Sequence, residues 1–150
     1  MSREIILDTG PLVALLNSRD PHHGWVCEQW GMLDPPLLTC EAVVVEACFL
    51  ARRLTRGGQS SILEIVRRGA LDLSFSLSDE IDAVVRLVTK YRDVPMSLAD
   101  ACVVRMSELH RAGPVLTLDR DFTIYRRNRR QRIPLLSPGL SSPQPPSGQS

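Results

Sequence analysis

Lysine is nearly absent from this 150-residue sequence: Lys90 is the only one among 18 basic residues. Aromatic residues make up just 5 %, so a core has to be built from Leu, Val, Ile and Ala, which the 43 % apolar content supplies. No apolar stretch approaches the roughly 20 residues that a membrane span requires. The N-terminus runs directly into Ile5-Ile6-Leu7-Asp8, without the basic start, apolar stretch and cleavage site of a signal peptide. The expectation is a cytoplasmic protein with no membrane association. The four cysteines, Cys27, Cys40, Cys48 and Cys102, form no CxxC pair. Their spacing fits neither a zinc site nor the disulfide framework of a small secreted chain, and they read as small buried hydrophobes.

Charge of one sign is locally scarce as well. The formal net charge is +1, yet between Arg105 and Arg132 eight arginines face only Glu108, Asp119 and Asp121. That segment balances at +5 and leaves −4 for the remainder. Guanidinium suits bidentate phosphate contacts better than ammonium does, although a compositional bias explains an arginine excess equally well.

The chain divides into one domain over residues 1–136 and a tail over 137–150. The tail is Ser, Pro, Gly and Gln with one Leu, too poor in apolar area to offset its ordering entropy, and is expected to be disordered. The domain alternates short apolar runs with helical stretches. Strands are expected at Ile5–Leu7, Leu37–Thr39, Leu71–Phe75, Val115–Leu118 and Ile133–Leu136. Helices are expected near Pro11–Asn17, after Asp20-Pro21, over Glu41–Arg53 and Ser60–Arg68, from a Ser78 cap to about Tyr91, and from Ser97 to about His110. Such alternation predicts a parallel sheet with helices on both faces, whose ligand site lies beyond the carboxyl ends of the strands.

Four acids interrupt apolar segments. Asp8 follows Ile5-Ile6-Leu7 and Asp119 follows Val115-Leu116-Thr117-Leu118, so both fall on the same rim of a parallel sheet. Either one alone reads equally well as a turn former or helix cap. Glu46 is the only charged residue between Ala42 and Ala51, and a helix apolar all round is buried all round. A buried Glu46 needs a partner: an arginine, a neighbour sharing its proton, or a metal ion. Asp100 stands in Leu98-Ala99-Asp100-Ala101-Cys102, where Ser97-x-x-Asp100 also forms a capping box. Carboxylates brought together repel unless a cation lies among them. Oxygen-only ligands favour Mg²⁺ or Mn²⁺ over zinc, and such ions can assist phosphodiester hydrolysis.

The segments Leu7-Asp8-Thr9-Gly10-Pro11-Leu12, Thr39–Ala47 around Glu46, Ser97-Leu98-Ala99-Asp100-Ala101 and Leu116-Thr117-Leu118-Asp119-Arg120-Asp121-Phe122 closely resemble the PIN-domain family, in particular the VapC-like toxins of toxin–antitoxin pairs. Order and spacing fit from Ile5 to about Leu136. The resemblance implies a single α/β/α sandwich with a central parallel sheet and an acidic pocket for Mg²⁺ or Mn²⁺. It implies RNA as substrate, cleaved by hydrolysis to 5′-phosphate and 3′-hydroxyl ends. By matching position, Asp8, Glu46, Asp100 and Asp119 would be the catalytic metal-binding acids, with Asp121 as an auxiliary ligand. Thr9, Thr117 and Ser97 would support them, or simply serve strand and helix ends. Arg120, Arg126, Arg127 and Arg129 are candidates for RNA contacts. The run Arg126–Arg132 reads equally well as a solvated face or as a docking surface for an acidic antitoxin. A homodimer and a cognate antitoxin are implied partners.

His22 and His23, beside an Asp-Pro turn, read as surface or packing residues rather than ligands. A haloacid-dehalogenase-type phosphatase would need an acid where Gly10 stands, and a phosphorelay receiver would need a lysine after a late strand; neither pattern is met. The remaining alternative is a PIN-like fold acting as a non-catalytic RNA- or protein-binding module.

Overall fold

The computed structural model describes residues 4–139; residues 140–150, most of the expected tail, lie outside the described residues. Five short apolar segments pair as parallel strands: β1 (Ile6–Leu7), β2 (Leu37–Leu38), β3 (Leu71–Asp72), β4 (Val115–Leu116) and, after a two-stranded hairpin of β5 (Arg126–Arg127) and β6 (Gln131–Arg132), β7 (Leu135–Leu136). Their order is β3-β2-β1-β4-β7. Ile6, Leu7, Val115 and Leu116 are fully buried, as expected of strands covered on both faces.

Six helices flank the sheet: α1 (Thr9–Leu16), α2 (His23–Met32), α3 (Glu41–Leu54), α4 (Gly58–Arg67), α5 (Ile81–Lys90) and α6 (Leu98–Leu109). The α/β/α architecture matches expectation. Strand order reverses between β1 and β4, since β2 and β3 lie on one side of β1 and β7 on the far side of β4. Such a reversal opens a crevice at the carboxyl ends of the two central strands. Ile6 pairs with Val115 and Leu7 with Leu116, and Asp8 continues the ladder through its N–H to the Leu116 carbonyl at 3.0 Å. Asp8 is thereby held at the rim opposite Thr117.

Several local expectations are corrected. The first helix starts at Thr9, making Asp8 its N-cap position, yet the Asp8 carboxylate makes no capping bond. Ser78 does not cap α5. It lies in the turn before it, its Oγ 3.1 Å from Ser76 Oγ, while Ser76 accepts the Asp79 N–H, and Glu80 at the helix entry is bound to Arg105 of α6 at 2.8 Å. A tertiary ion pair thus occupies the residue that local propensity assigned to the first turn. Helix α3 is not buried all round, because Val45 and Phe49 are 68 % and 58 % exposed. Cys40 and Cys102 are buried, but Cys27 is exposed.

The hairpin joins β5 (Arg126–Arg127) to β6 (Gln131–Arg132) antiparallel. Arg127, expected at an RNA surface, is 8 % exposed. Its Nη1 donates to the carbonyls of Ser107 at 2.9 Å and Arg111 at 3.0 Å. Those carbonyls belong to the end of α6 and the turn after it, where helix geometry leaves acceptors without partners. Arg127 is therefore a buried cap for α6 rather than a phosphate contact. Replacing Arg127 by Ala should lower stability by about 2–3 kcal/mol through the loss of charge-assisted hydrogen bonds to buried acceptors, measured as a shift in urea midpoint at unchanged m-value.

Candidate active site

Four elements deliver acids to the crevice. Strand β1 ends at Asp8, α3 contributes Glu46, the first turn of α6 contributes Asp100, and the segment after β4 contributes Asp119. The charges of Asp100 and Asp119 act on both Asp8 and Glu46, raising their proton affinity. The structure therefore gathers the four acids singled out in the sequence at one place.

Two threonines tie the acids together. Thr117 Oγ1 donates to Asp8 Oδ2 at 2.7 Å and accepts the Asp119 N–H at 3.0 Å. Thr9 Oγ1 donates to Glu46 Oε2 at 3.3 Å. The capping box is formed: Ser97 Oγ accepts the Asp100 N–H at 3.0 Å and Asp100 Oδ2 accepts the Ser97 N–H at 3.3 Å. Asp119 Oδ1 accepts the Asp121 N–H at 2.9 Å, opening a 3₁₀ turn at Arg120–Thr123. Capping and cleft-facing roles coexist, because the protein's hydrogen bonds within 3.5 Å fall on one oxygen of each carboxylate. The second oxygen of each is left to other partners.

No Lys, Arg or His forms an ion pair with these acids among the described residues. A salt bridge as the reason for Glu46 is thus not what the structure contains. The electrostatic consequence is visible in proton affinities. Asp8, 4 % exposed, has its carboxyl pushed up to about 7, mainly by burial and further by the neighbouring charges, against the opposing hydrogen bonds from Thr117 and the Thr9 backbone. Burial also raises Glu46 and Asp100 above the usual carboxylate range.

Tyr125 was not singled out in the sequence. Fully buried, it donates its phenol hydroxyl to Asp100 Oδ2 at 3.1 Å. Its ring stands edge-on to Phe122 and Tyr91, with centroids 5.3 and 5.2 Å away. Burial pushes the phenol's proton affinity up, so it remains a donor. The one available signal was a lone aromatic beside an arginine run in an aromatic-poor chain.

The histidines lie elsewhere. His22 occupies the N-cap position of α2, His23 Nδ1 is 2.7 Å from the Ala14 carbonyl, and His110 Nδ1 is 3.1 Å from Glu4 Oε2. Asp121 stays at the 3₁₀ turn as a half-exposed neighbour of Asp119. Arg120 is exposed beside Asp119. Arg126 spends its Nη1 on the carbonyls of Thr123, Ile124 and Tyr125, and Arg129 is exposed in the hairpin turn.

The donor set is wholly oxygen, anionic and flanked by hydroxyls, and it fits a hard divalent cation. Among the described residues, no three Asp, Glu, His or Cys side chains are gathered tightly enough to hold an ion as they stand.

A family model for the PIN domain matches residues 5–128. Ribonuclease VapC26 of Mycobacterium tuberculosis is 32 % identical over 117 residues, covering 77 % of this chain and 87 % of that protein. The crystal structure of Mycobacterium tuberculosis VapC20, described as a Sarcin-Ricin loop cleaving toxin, superposes with a TM-score of 0.73 at 20 % identity. That superposition covers 81 % of this chain and 94 % of the other.

The folded Asp8 carboxyl binds its proton more tightly than the unfolded one, so its contribution to stability falls as pH climbs from about 3.8 to about 7 and is level above that. Asp8→Asn, which keeps an acceptor for Thr117, should therefore raise the melting temperature of the metal-free protein. The gain should be larger at pH 8 than at pH 5, as read by scanning calorimetry in EDTA. An equal gain at both pH values would mean that Asp8 carries no raised pKa.

Proposed function

This chain belongs to the PIN-domain family, and from that membership we infer that it is an RNA-cleaving toxin of the VapC type, a metal-dependent endoribonuclease. The observation that carries the metal-dependent reading is the set of four acids at the strand-order reversal, each with an oxygen unclaimed by the protein and none with a cationic partner. Asp8, Glu46, Asp100 and Asp119 would hold Mg²⁺ or Mn²⁺, with Asp121 within reach of Asp119 as an auxiliary ligand. The bound ion would supply positive charge for the scissile phosphate and acidity for the attacking water.

The chain's own residues set the geometry. Thr117 and the Thr9 backbone fix Asp8, the Thr9 hydroxyl fixes Glu46, and Ser97 and Tyr125 together fix the rotamer of Asp100. Such supporting bonds orient ligands and tune their basicity. With all three histidines engaged away from the acids, the pocket lacks the imidazole acid–base pair that would cyclise a ribose 2′-hydroxyl onto the phosphate. The proposed reaction is direct hydrolysis by water, leaving 5′-phosphate and 3′-hydroxyl ends without a covalent protein intermediate. Arg120 stands exposed at the mouth, where a flanking phosphate would pass.

The family role also implies a cognate antitoxin and a homodimer. Val45 and Phe49, one turn apart on the exposed face of α3, with Arg53 stacked over Phe49 at 5.7 Å, suit burial against a protein partner. No helix among the described residues is long and apolar enough to cross a membrane, and in this reading the protein acts on RNA in the cytoplasm.

The decisive assay is cleavage of a mixed RNA pool with Mg²⁺, with Mn²⁺ and with EDTA. Wild-type protein should cut only with metal, and Asp8→Asn should fall to background while remaining folded. Metal-independent cutting, or wild-type rates from Asp8→Asn, would remove the metal-centre reading. A folded wild-type protein that binds RNA without cutting it would instead support a binding module. Tyr125→Phe should raise the metal concentration for half-maximal cleavage about tenfold, with a smaller effect on the rate at saturating metal. A role in packing alone would leave that concentration unchanged.

A further inference from the structure

A second site lies outside the acids. A cleft of about 700 Å³ opens between α5, α6 and the β5–β6 hairpin. Its walls carry Arg86 and Lys90 from α5, Arg105 from α6, and Arg126, Arg129 and Arg130 from the hairpin, with Glu108 as the one acid.

Most of these charges are already committed. Arg105 is paired with Glu80 at 2.8 Å and Glu108 at 3.3 Å. Glu108 also accepts the Asn128 N–H at 2.6 Å, so both its oxygens are taken. Lys90, the sole lysine, donates its Nζ to the Arg129 carbonyl at 2.8 Å and thus anchors the hairpin to α5. What remains are the guanidinium groups of Arg86, Arg129 and Arg130, which donate to no other described residue. Arg129 moreover stands at φ 72°, a conformation that glycine adopts without strain. The turn presents an arginine where backbone economy favours a glycine.

The cleft adjoins the acids through rigid parts. Tyr125, bound to Asp100, directly precedes Arg126, whose N–H is held by the Tyr91 hydroxyl at 2.8 Å. Helix α6 carries Asp100 in its first turn and Arg105 five residues on, about 8 Å along the axis at 1.5 Å per residue. Forked cations connected in this way to an anionic centre suit a chain of phosphates that must approach the acids against their repulsion. We propose that this cleft is a phosphate-binding subsite that holds the RNA backbone a few nucleotides from the scissile bond, with Arg86, Arg129 and Arg130 as its contacts. The subsite rests on the ribonuclease reading for its substrate class. It replaces Arg127, and adds Arg86 and Arg130, among the RNA-contacting residues.

The test is fluorescence-anisotropy binding of a labelled single-stranded RNA oligonucleotide in EDTA across a sodium chloride series. Wild type is compared with Arg86→Gln/Arg130→Gln and with the charge-keeping Arg86→Lys/Arg130→Lys. The Gln pair should bind roughly tenfold more weakly at physiological salt, with a log–log salt slope shallower by about 1.4, the value for two lost phosphate contacts on a single strand. The Lys pair should recover the slope. Both substituted side chains are exposed, so melting temperatures should match wild type and exclude misfolding. An unchanged affinity and slope in the Gln pair overturns the subsite. So does an RNA affinity that holds while binding of a polyglutamate peptide falls, which assigns the cleft to an acidic protein segment. Wild-type cleavage of RNA with metal, run in parallel, separates the two ideas: cutting without a Gln-pair binding defect refutes the subsite alone. A binding defect without cutting refutes the nuclease alone.

Discussion

Four carboxylates held at one place without a cation are the constraint around which the rest of this protein is arranged. Asp8 and Asp100 are buried and Glu46 is half-buried, so desolvation weighs on these three, and the charge of Asp119 adds repulsion to it. Asp8 shows the result most plainly, with a carboxyl pushed up to about 7 in a chain that offers it only hydroxyl and backbone donors. Such a cluster persists because the surrounding architecture over-determines it. The parallel ladder fixes Asp8 opposite Thr117, the capping box fixes Asp100, and a 3₁₀ turn fixes Asp119. A fold optimised only for stability would not keep these acids together. In the metal-dependent reading proposed above, a hard cation would complete the site.

Helix α6 and the segment after β4 do more than deliver two acids. The helix begins at the acid pocket and ends under Arg127, which satisfies its terminal carbonyls from inside the protein. Tyr125 locks the rotamer of Asp100, while its neighbour Arg126 lines the basic cleft. The acid pocket and the basic cleft are therefore joined through one packed unit, which makes their relative placement a property of the fold rather than of flexible side chains.

Much of the fold was legible in the sequence, because apolar runs of strand length alternating with helical patterns leave few arrangements other than a covered parallel sheet. The acids were legible for a related reason: a carboxylate inside an apolar segment has no local explanation and demands a tertiary one. Glu46 was singled out on the premise of a helix buried on every side, and the exposure of Val45 and Phe49 shows that premise to be too strong. Glu46 nevertheless feels the charges of Asp100 and Asp119. The misreadings elsewhere share one cause. Arg127 and Ser78 were assigned from their neighbours in the chain, whereas Arg127 is claimed by carbonyls at the end of α6 and the entry to α5 is claimed by the Glu80–Arg105 pair.

Sequence alone determined the architecture and singled out the four acids as candidate ligands of a hard, oxygen-seeking ion, since periodicity and residue chemistry are local properties that the chain carries with it. Tertiary structure decided which oxygen of each acid is spent on the protein, which arginines are buried caps and which face an open cleft, and that Tyr125 belongs to the site. The Thr117–Asp8, Thr9–Glu46, Tyr125–Asp100 and Arg127 contacts that set them join residues 16 to 109 positions apart in the chain, and no local pattern encodes such contacts.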